Sequence, residues 1–134
     1  MSESSNIVIE ETNAVFSQRI YLYGHWMGEE SIQVVWDTLT RYRRWDDQPY
    51  FTRMLFSRMV RDDIDGELGY GISLSRYMTD YPDIVLRPSD RLIWLENDKG
   101  EELTPRMKYE EFISQYDEEH QSFSQLINKE EVEV

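Results

Sequence analysis

Three short stretches gather the side chains best able to hold a ligand. Tyr21, Tyr23, His25 and Trp26 come first, then Arg41, Tyr42, Arg43, Arg44 and Trp45, then Tyr50 and Arg53. Tyr70 stands between Gly69 and Gly71, where backbone can come close to a ligand or to another strand. Aromatic faces stack nucleobases, and the guanidinium fork binds phosphate in a bidentate manner. These residue types point to a small phosphorylated ligand held by Tyr23, His25, Trp26, Arg41, Arg43, Arg44, Trp45, Arg53 and Tyr70. The plainer account of the same residues is that Trp26 and Trp45 close the two ends of a hydrophobic core.

Other chemistries find less support. The chain has no cysteine, which excludes disulfides, Cys-ligated zinc, iron–sulfur clusters and thiol catalysis. Its two histidines, His25 and His120, are far apart, so no His-rich metal site is expected, and only an oxygen-ligated Mg²⁺ remains open. Asp63, Asp65 and Gly66 imitate part of a calcium loop. In that register Arg61 would take the first ligand position and Ile72 the twelfth, which defeats the match. Gly66, Gly69 and Gly71 lack the lysine of a phosphate loop and lead into a strand rather than a helix. Asp46/Asp47 and Asp62/Asp63 sit at turns, where carboxylates cap helices. The expectation is a binding protein rather than an enzyme, with no cofactor, no metal and no catalytic residue.

The elements that must position these residues are read from periodicity. Residues 15–23 alternate, with Phe16, Ile20 and Leu22 on one side and Arg19, Tyr21 and Tyr23 on the other, as in a half-buried strand. Ile7–Ile9 is a short partner strand before a turn at Thr12-Asn13. The segment GHWMG then leads into a helix over Glu30–Arg44, with Ile32, Val35, Trp36 and Leu39 on its apolar face. A second helix runs over Tyr50–Arg61, opened by Pro49 and paired to the first by a short link. Strands follow at 70–75, 83–87 and 91–96, with Pro82 and Pro88 limiting two of them to edges or ends. After an Asn97–Gly100 turn, Thr104-Pro105 opens a helix striped by Tyr109, Phe112, Ile113 and Tyr116. The fold class is α+β: a small antiparallel sheet packed against an α-hairpin and a C-terminal helix. One domain is expected over 1–134, compact over 7–116, with an acidic segment 117–134 that is partly helical and then frayed.

Charge narrows the ligand class. The 134 residues carry 27 acids against 14 bases, a net charge of −13, which argues against extended nucleic acid. The excess is concentrated at the two ends. Between Arg41 and Arg61 stand six arginines and only two acids, Asp46 and Asp47. Arginines paired with nearby Asp62 and Asp63 would be an ordinary explanation. No basic leader and no apolar run near ~20 residues is present, so neither a signal peptide nor a membrane span is expected.

Over roughly residues 20–76, YLYGHWMGE, RYRRWDDQPYFTRMLFSRM and GELGYGIS resemble a group of small phage and prophage-type hypothetical proteins. Their pattern is YLYxHWxG, RWDDxxYLTRxxFxxM and a GYGIS-like segment. Met27 departs from it where a small residue is expected, and Phe51 where Leu is expected. The resemblance implies a phage-associated setting in the host cytoplasm, where small non-enzymatic proteins act against host defence. It carries over no activity and no site residue. Two readings stand: sequestration of a small anionic ligand such as a nucleotide signal, or an acidic protein that occupies a basic, DNA-binding surface of a host protein. Because the helix over Glu30–Arg44 separates the aromatic cluster from the Arg41–Trp45 cluster, a symmetric homodimer would bring both to one pocket, or the two form separate surfaces.

Overall fold

The computed structural model describes residues 3–12, 15–67, 69–116, 122–123 and 126–127. Strands β1 (Ser5–Thr12) and β2 (Ser17–Gly24) form an antiparallel pair in which Ser5 faces Gly24 and Thr12 faces Ser17. Helices α1 (Glu30–Arg41) and α2 (Gln48–Met59) follow. Then come β3 (Tyr70–Ser73), β4 (Asp83–Arg87), β5 (Leu92–Glu96), β6 (Met107–Lys108) and α3 (Tyr109–Gln115). The strands make one six-stranded sheet in the order β3-β2-β1-β4-β5-β6.

The sheet is mixed, which corrects the small antiparallel sheet expected from sequence. After α1 and α2 the chain adds β3 outside β2, and the inner edge of β1 is then taken by β4 running parallel to it, Ile7 beside Ile84 and Ile9 beside Leu86. Parallel neighbours need a long crossover, and the two helices with β3 supply it. Pro82 and Pro88 bracket β4 at its two ends, so an internal strand accommodates both without losing a ladder hydrogen bond.

Alternation decides which side chains meet the helices. Ile7, Ile9, Leu22, Ile84, Leu86, Ile93 and Leu95 point to the helical side. There they join Ile32, Val35 and Leu39 of α1, Phe51, Leu55 and Met59 of α2, and Tyr109 and Phe112 of α3 in one core. Phe123 and Leu126 belong to the same core, with Phe123 against the Tyr81 ring at 5.4 Å. Apart from Ser122, Phe123, Leu126 and Ile127, residues 117–134 lie outside the described residues, as does the Asn13 position of the expected turn. Phe16 is on the helical side by parity but lies 51% exposed, beyond the helices' cover.

Local boundaries move for identifiable reasons. Helix α1 ends at Arg41 rather than Arg44 because Trp45 turns back into the core and its Nε1 donates to the Leu39 carbonyl at 3.2 Å. That carbonyl is one of those a helix end leaves without an intrahelical donor. Asp47 caps α2, accepting from the Tyr50 backbone N–H at 3.3 Å. Thr104 does not open a helix. Its hydroxyl oxygen accepts from the Leu95 N–H at 3.0 Å, which ties it to β5, and α3 starts only at Tyr109. No described helix is long and apolar enough to cross a membrane.

Candidate anion-binding surface

The α1–α2 link packs aromatic rings inside and guanidinium groups outside. Trp45 is buried and meets the Tyr109 ring edge-on at 5.3 Å, while Phe51 stacks on the same tyrosine at 6.3 Å. Over Trp45 lie the guanidinium carbons of Arg43 and Arg91, at 5.2 and 5.4 Å. Over Tyr50 lie those of Arg44 and Arg53, at 4.4 and 5.4 Å. A cation over a ring face is attracted by the ring quadrupole, so the rings hold these arginines in place without neutralising them.

Carboxylates neutralise some arginines and leave others. Asp46 takes Arg91 at 2.8 Å and Asp47 takes Arg44 at 2.7 Å. Ion pairs also engage Arg19, Arg58, Arg61, Arg76, Arg87 and Arg106. Arg41, Arg43 and Arg53 alone make no ion pair among the described residues, and all three are exposed. Asp62, the acid nearest in sequence to the end of α2, meets only Arg61, at 3.8 Å.

The aromatic cluster lies at the other end of α1. The Tyr23 hydroxyl and His25 Nδ1 are 2.9 Å apart, and the His25 ring meets Trp26 edge-on at 4.3 Å. Trp26 is 61% exposed and lies against Gly69, where a Cβ would come within 3.2 Å of the indole. The His25 N–H donates to the Gly69 carbonyl at 2.6 Å, which links the loop to the start of β3. A 12-residue helix is about 18 Å long, so Tyr23, His25 and Trp26 do not share a pocket with the arginines of the link.

Tyr70 belongs to neither cluster. It lines a cleft of about 310 Å³ with Met27, Glu30, Asp37, Arg58 and Asp63 among its walls. Burial, then the charges of Asp63, Glu30 and Asp62, pushes its phenol above the ordinary value. Three carboxylates around one hydroxyl make that cleft hostile to an anion. The acids there do not form a metal site: among the described residues no group of three or more His, Asp or Glu is placed to hold an ion.

A second polar array was not visible as a motif. No described helix covers the face of the sheet opposite the core, and Val8, Val85 and Trp94 are buried there by charged side chains. Arg19 donates to Glu10 at 2.7 Å and to both oxygens of Glu96 at 2.8 Å. Arg87 also donates to Glu10, and Arg87 and Arg106 cover the Trp94 ring at 5.2 and 4.0 Å. Arg76 and Asn6 both donate to Asp83. Burial drives the Glu96 carboxyl up, but hydrogen bonds from Arg19 and Trp94 outweigh it and hold the group below the ordinary range. At Asp83 burial prevails over Arg76 and Asn6, and the carboxyl rises. The signal available in sequence was the outward set Arg19, Tyr21 and Tyr23 on β2, but the acidic partners of Arg19, Glu10 and Glu96, lie on two other strands, β1 and β5.

Comparison with protein-family models, with curated proteins and with solved structures finds no match to this chain.

Proposed function

We propose that this protein is a non-enzymatic binding protein whose α1–α2 hairpin presents Arg41, Arg43 and Arg53 to a phosphorylated ligand. One observation carries the reading: among the described residues of a chain with net charge −13, these three exposed arginines make no ion pair with a carboxylate, and all flank one link. Ring contacts to Trp45 and Tyr50 orient Arg43 and Arg53, so less side-chain freedom is lost when phosphate binds. The half-buried Tyr50 ring would meet a base or another flat group along its open edge. The resemblance to phage and prophage proteins supports a nucleotide signal of host defence as the ligand, sequestered in the host cytoplasm. Calorimetry against linear and cyclic nucleotides tests this. Binding by the wild type that drops at least tenfold in Arg43→Glu/Arg53→Glu is expected; no heat from any nucleotide at millimolar concentration defeats the reading.

A second reading draws on the far end of the helical pair. There Glu30, Asp62 and Asp63 border the Tyr70 cleft, and only Asp62 meets an arginine, at 3.8 Å. An acidic end of this kind would dock on a basic, DNA-binding surface of a host protein, with fast association that weakens with salt. Retention of a host DNA-binding protein by immobilised wild type, lost in Asp62→Lys/Asp63→Lys and not in Arg43→Glu/Arg53→Glu, would favour it over the ligand reading.

A further inference from the structure

The outer edge of β3 is built in a way that folded sheets normally avoid. Exposed edge strands carry charges, proline or bulges that block pairing with another chain. Tyr70, Gly71, Ile72, Ser73, Leu74 and Ser75 include no charged residue and no proline, in a chain that is 31% charged. Ile72 is 61% exposed and Leu74 82%. Both lie on the helical side of the sheet: Ile72 is opposite Leu22, and Leu74 borders a groove of about 550 Å³ with Ile9 and Ile20. The helices therefore stop short of this edge and leave an apolar strip beside it.

The hydrogen-bonding phase of the edge follows from one contact. His25 N–H donates to the Gly69 carbonyl, so His25 and Gly69 form a hydrogen-bonded pair at the head of the β2–β3 ladder. Such pairs alternate in an antiparallel ladder. Tyr23 with Gly71 and Tyr21 with Ser73 are then the next hydrogen-bonded pairs, and the N–H and C=O of Tyr70 and Ile72 point away from β2. The residues that offer free backbone are the same ones that carry the apolar side chains.

We infer that β3 pairs with β3 of a second copy, antiparallel and centred on Ile72, to make a continuous twelve-stranded sheet. In that register Ile72 exchanges both backbone bonds with its own copy, and Tyr70 lies opposite Leu74 of the other chain. Side chains on the helical side meet as Ile–Ile and Tyr–Leu pairs, and Gly71 faces Ser73 on the other side. No charge opposes itself anywhere along the edge, and a two-fold contact needs only that self-complementarity. The occupant is a second copy because the uncharged 70–74 edge is self-complementary about Ile72, and the register is fixed because a shift of one residue would turn the apolar strip to the polar face. A four-residue edge is small beside the ~800 Å² per partner of a standard interface, which sets the expected dissociation constant near ~100 µM. The net charge of −13 opposes association, so salt strengthens this dimer by screening. The inference does not depend on the anion-binding reading.

Sedimentation equilibrium of the full chain at 0.1 and 0.5 M NaCl, with single-cysteine cross-linking, tests it. The chain has no cysteine of its own. Paired Cα atoms at a two-fold in this register are ~5.5 Å apart, within disulfide reach, whereas positions 74 of the two copies lie four residues apart along the strands. Expected are a dimer that tightens with salt, rapid disulfide formation by Ile72→Cys, at least tenfold slower formation by Leu74→Cys, and a monomeric Ile72→Lys with unchanged circular dichroism. A monomer at all concentrations up to about 1 mM overturns the proposal, and that result would point to an extended segment of another protein as the occupant. Equal cross-linking of the two cysteine variants, or a dimer that persists in Ile72→Lys, also overturns it.

Discussion

Arg19 on β2 donates two hydrogen bonds of 2.8 Å to Glu96 on β5, with β1 and β4 lying between their strands. The guanidinium thereby roofs Val8 and Val85, which are fully buried although no described helix covers them. The usual second layer over a sheet face is replaced here by long charged side chains whose stems are apolar and whose heads are paired.

Breaking that pair leaves a buried charge without its partner, which costs about 3–5 kcal/mol in fully buried cases. Because the Arg19 side chain is 26% exposed, Arg19→Met is expected to lose about 2–3 kcal/mol. The double variant Arg19→Met/Glu96→Leu is expected to lose less than Arg19→Met alone. Urea denaturation of the wild type, Arg19→Met, Glu96→Leu and the double variant measures both, and a double variant as unstable as the sum of the two single variants would show that the pair is not coupled.

The acid limb of stability should divide between two carboxylates. The Glu96 carboxyl is held down in the fold, so its contribution is present above the unfolded value and lost as pH falls through the folded one. The Asp83 carboxyl is raised above its ordinary 3.8, so its ionisation opposes folding, and that penalty disappears as pH falls. Glu96→Gln is expected to flatten the loss of stability below pH 4.5, and Asp83→Asn to steepen it. Chemical denaturation between pH 3 and 7 checks the two opposite signs.

The two tryptophans that bracket α1 have different duties. Trp45 is 4% exposed and Trp26 is 61% exposed. Trp45→Ala empties part of the core and frees the Leu39 carbonyl, so a loss of about 3–5 kcal/mol is expected. Trp26→Ala should stay within about 0.5 kcal/mol of wild type. Thermal unfolding of both variants separates them, and a large loss at Trp26 would mean that the exposed ring packs more firmly than its surface area indicates.

Gly69 and Gly71 flank Tyr70 but should respond oppositely to alanine. Gly69 has φ +105° and a Cβ there would meet the Trp26 indole at 3.2 Å, so Gly69→Ala is expected to destabilise by about 1–3 kcal/mol. A Cβ at Gly71 meets nothing within 4 Å. Since the substitution also reduces the freedom of the unfolded chain, Gly71→Ala is expected to be neutral or to stabilise by about 0.4–1 kcal/mol. Denaturation midpoints decide it, and equal effects at the two positions would contradict the difference in backbone geometry.

Elements with a strong local period were legible before any fold was known. The alternation of residues 17–23, the helical spacing of Ile32, Val35 and Leu39, and the two prolines around 83–87 all located elements to within a few residues. The arginine cluster was legible too, because the chain brings Arg41, Arg43 and Arg44 together by adjacency alone. The lattice of Glu10, Arg19, Arg87 and Glu96 was not, since its members lie up to 86 positions apart and meet only through strand order. A one-dimensional period reports which side of a strand a residue takes, not which strand lies beside it.

By itself, then, the sequence determined the α+β class, the apolar faces, the helical pair and the basic stretch inside an acidic chain. Tertiary structure alone decided that β1 and β4 run parallel, that Trp45 is core while Trp26 is surface, and which three arginines make no ion pair among the described residues. The reason is range. Periodicity, caps and turns act over a few residues along the chain, whereas charge pairing and burial are decided by distances in space, which only the assembled sheet and its helices define.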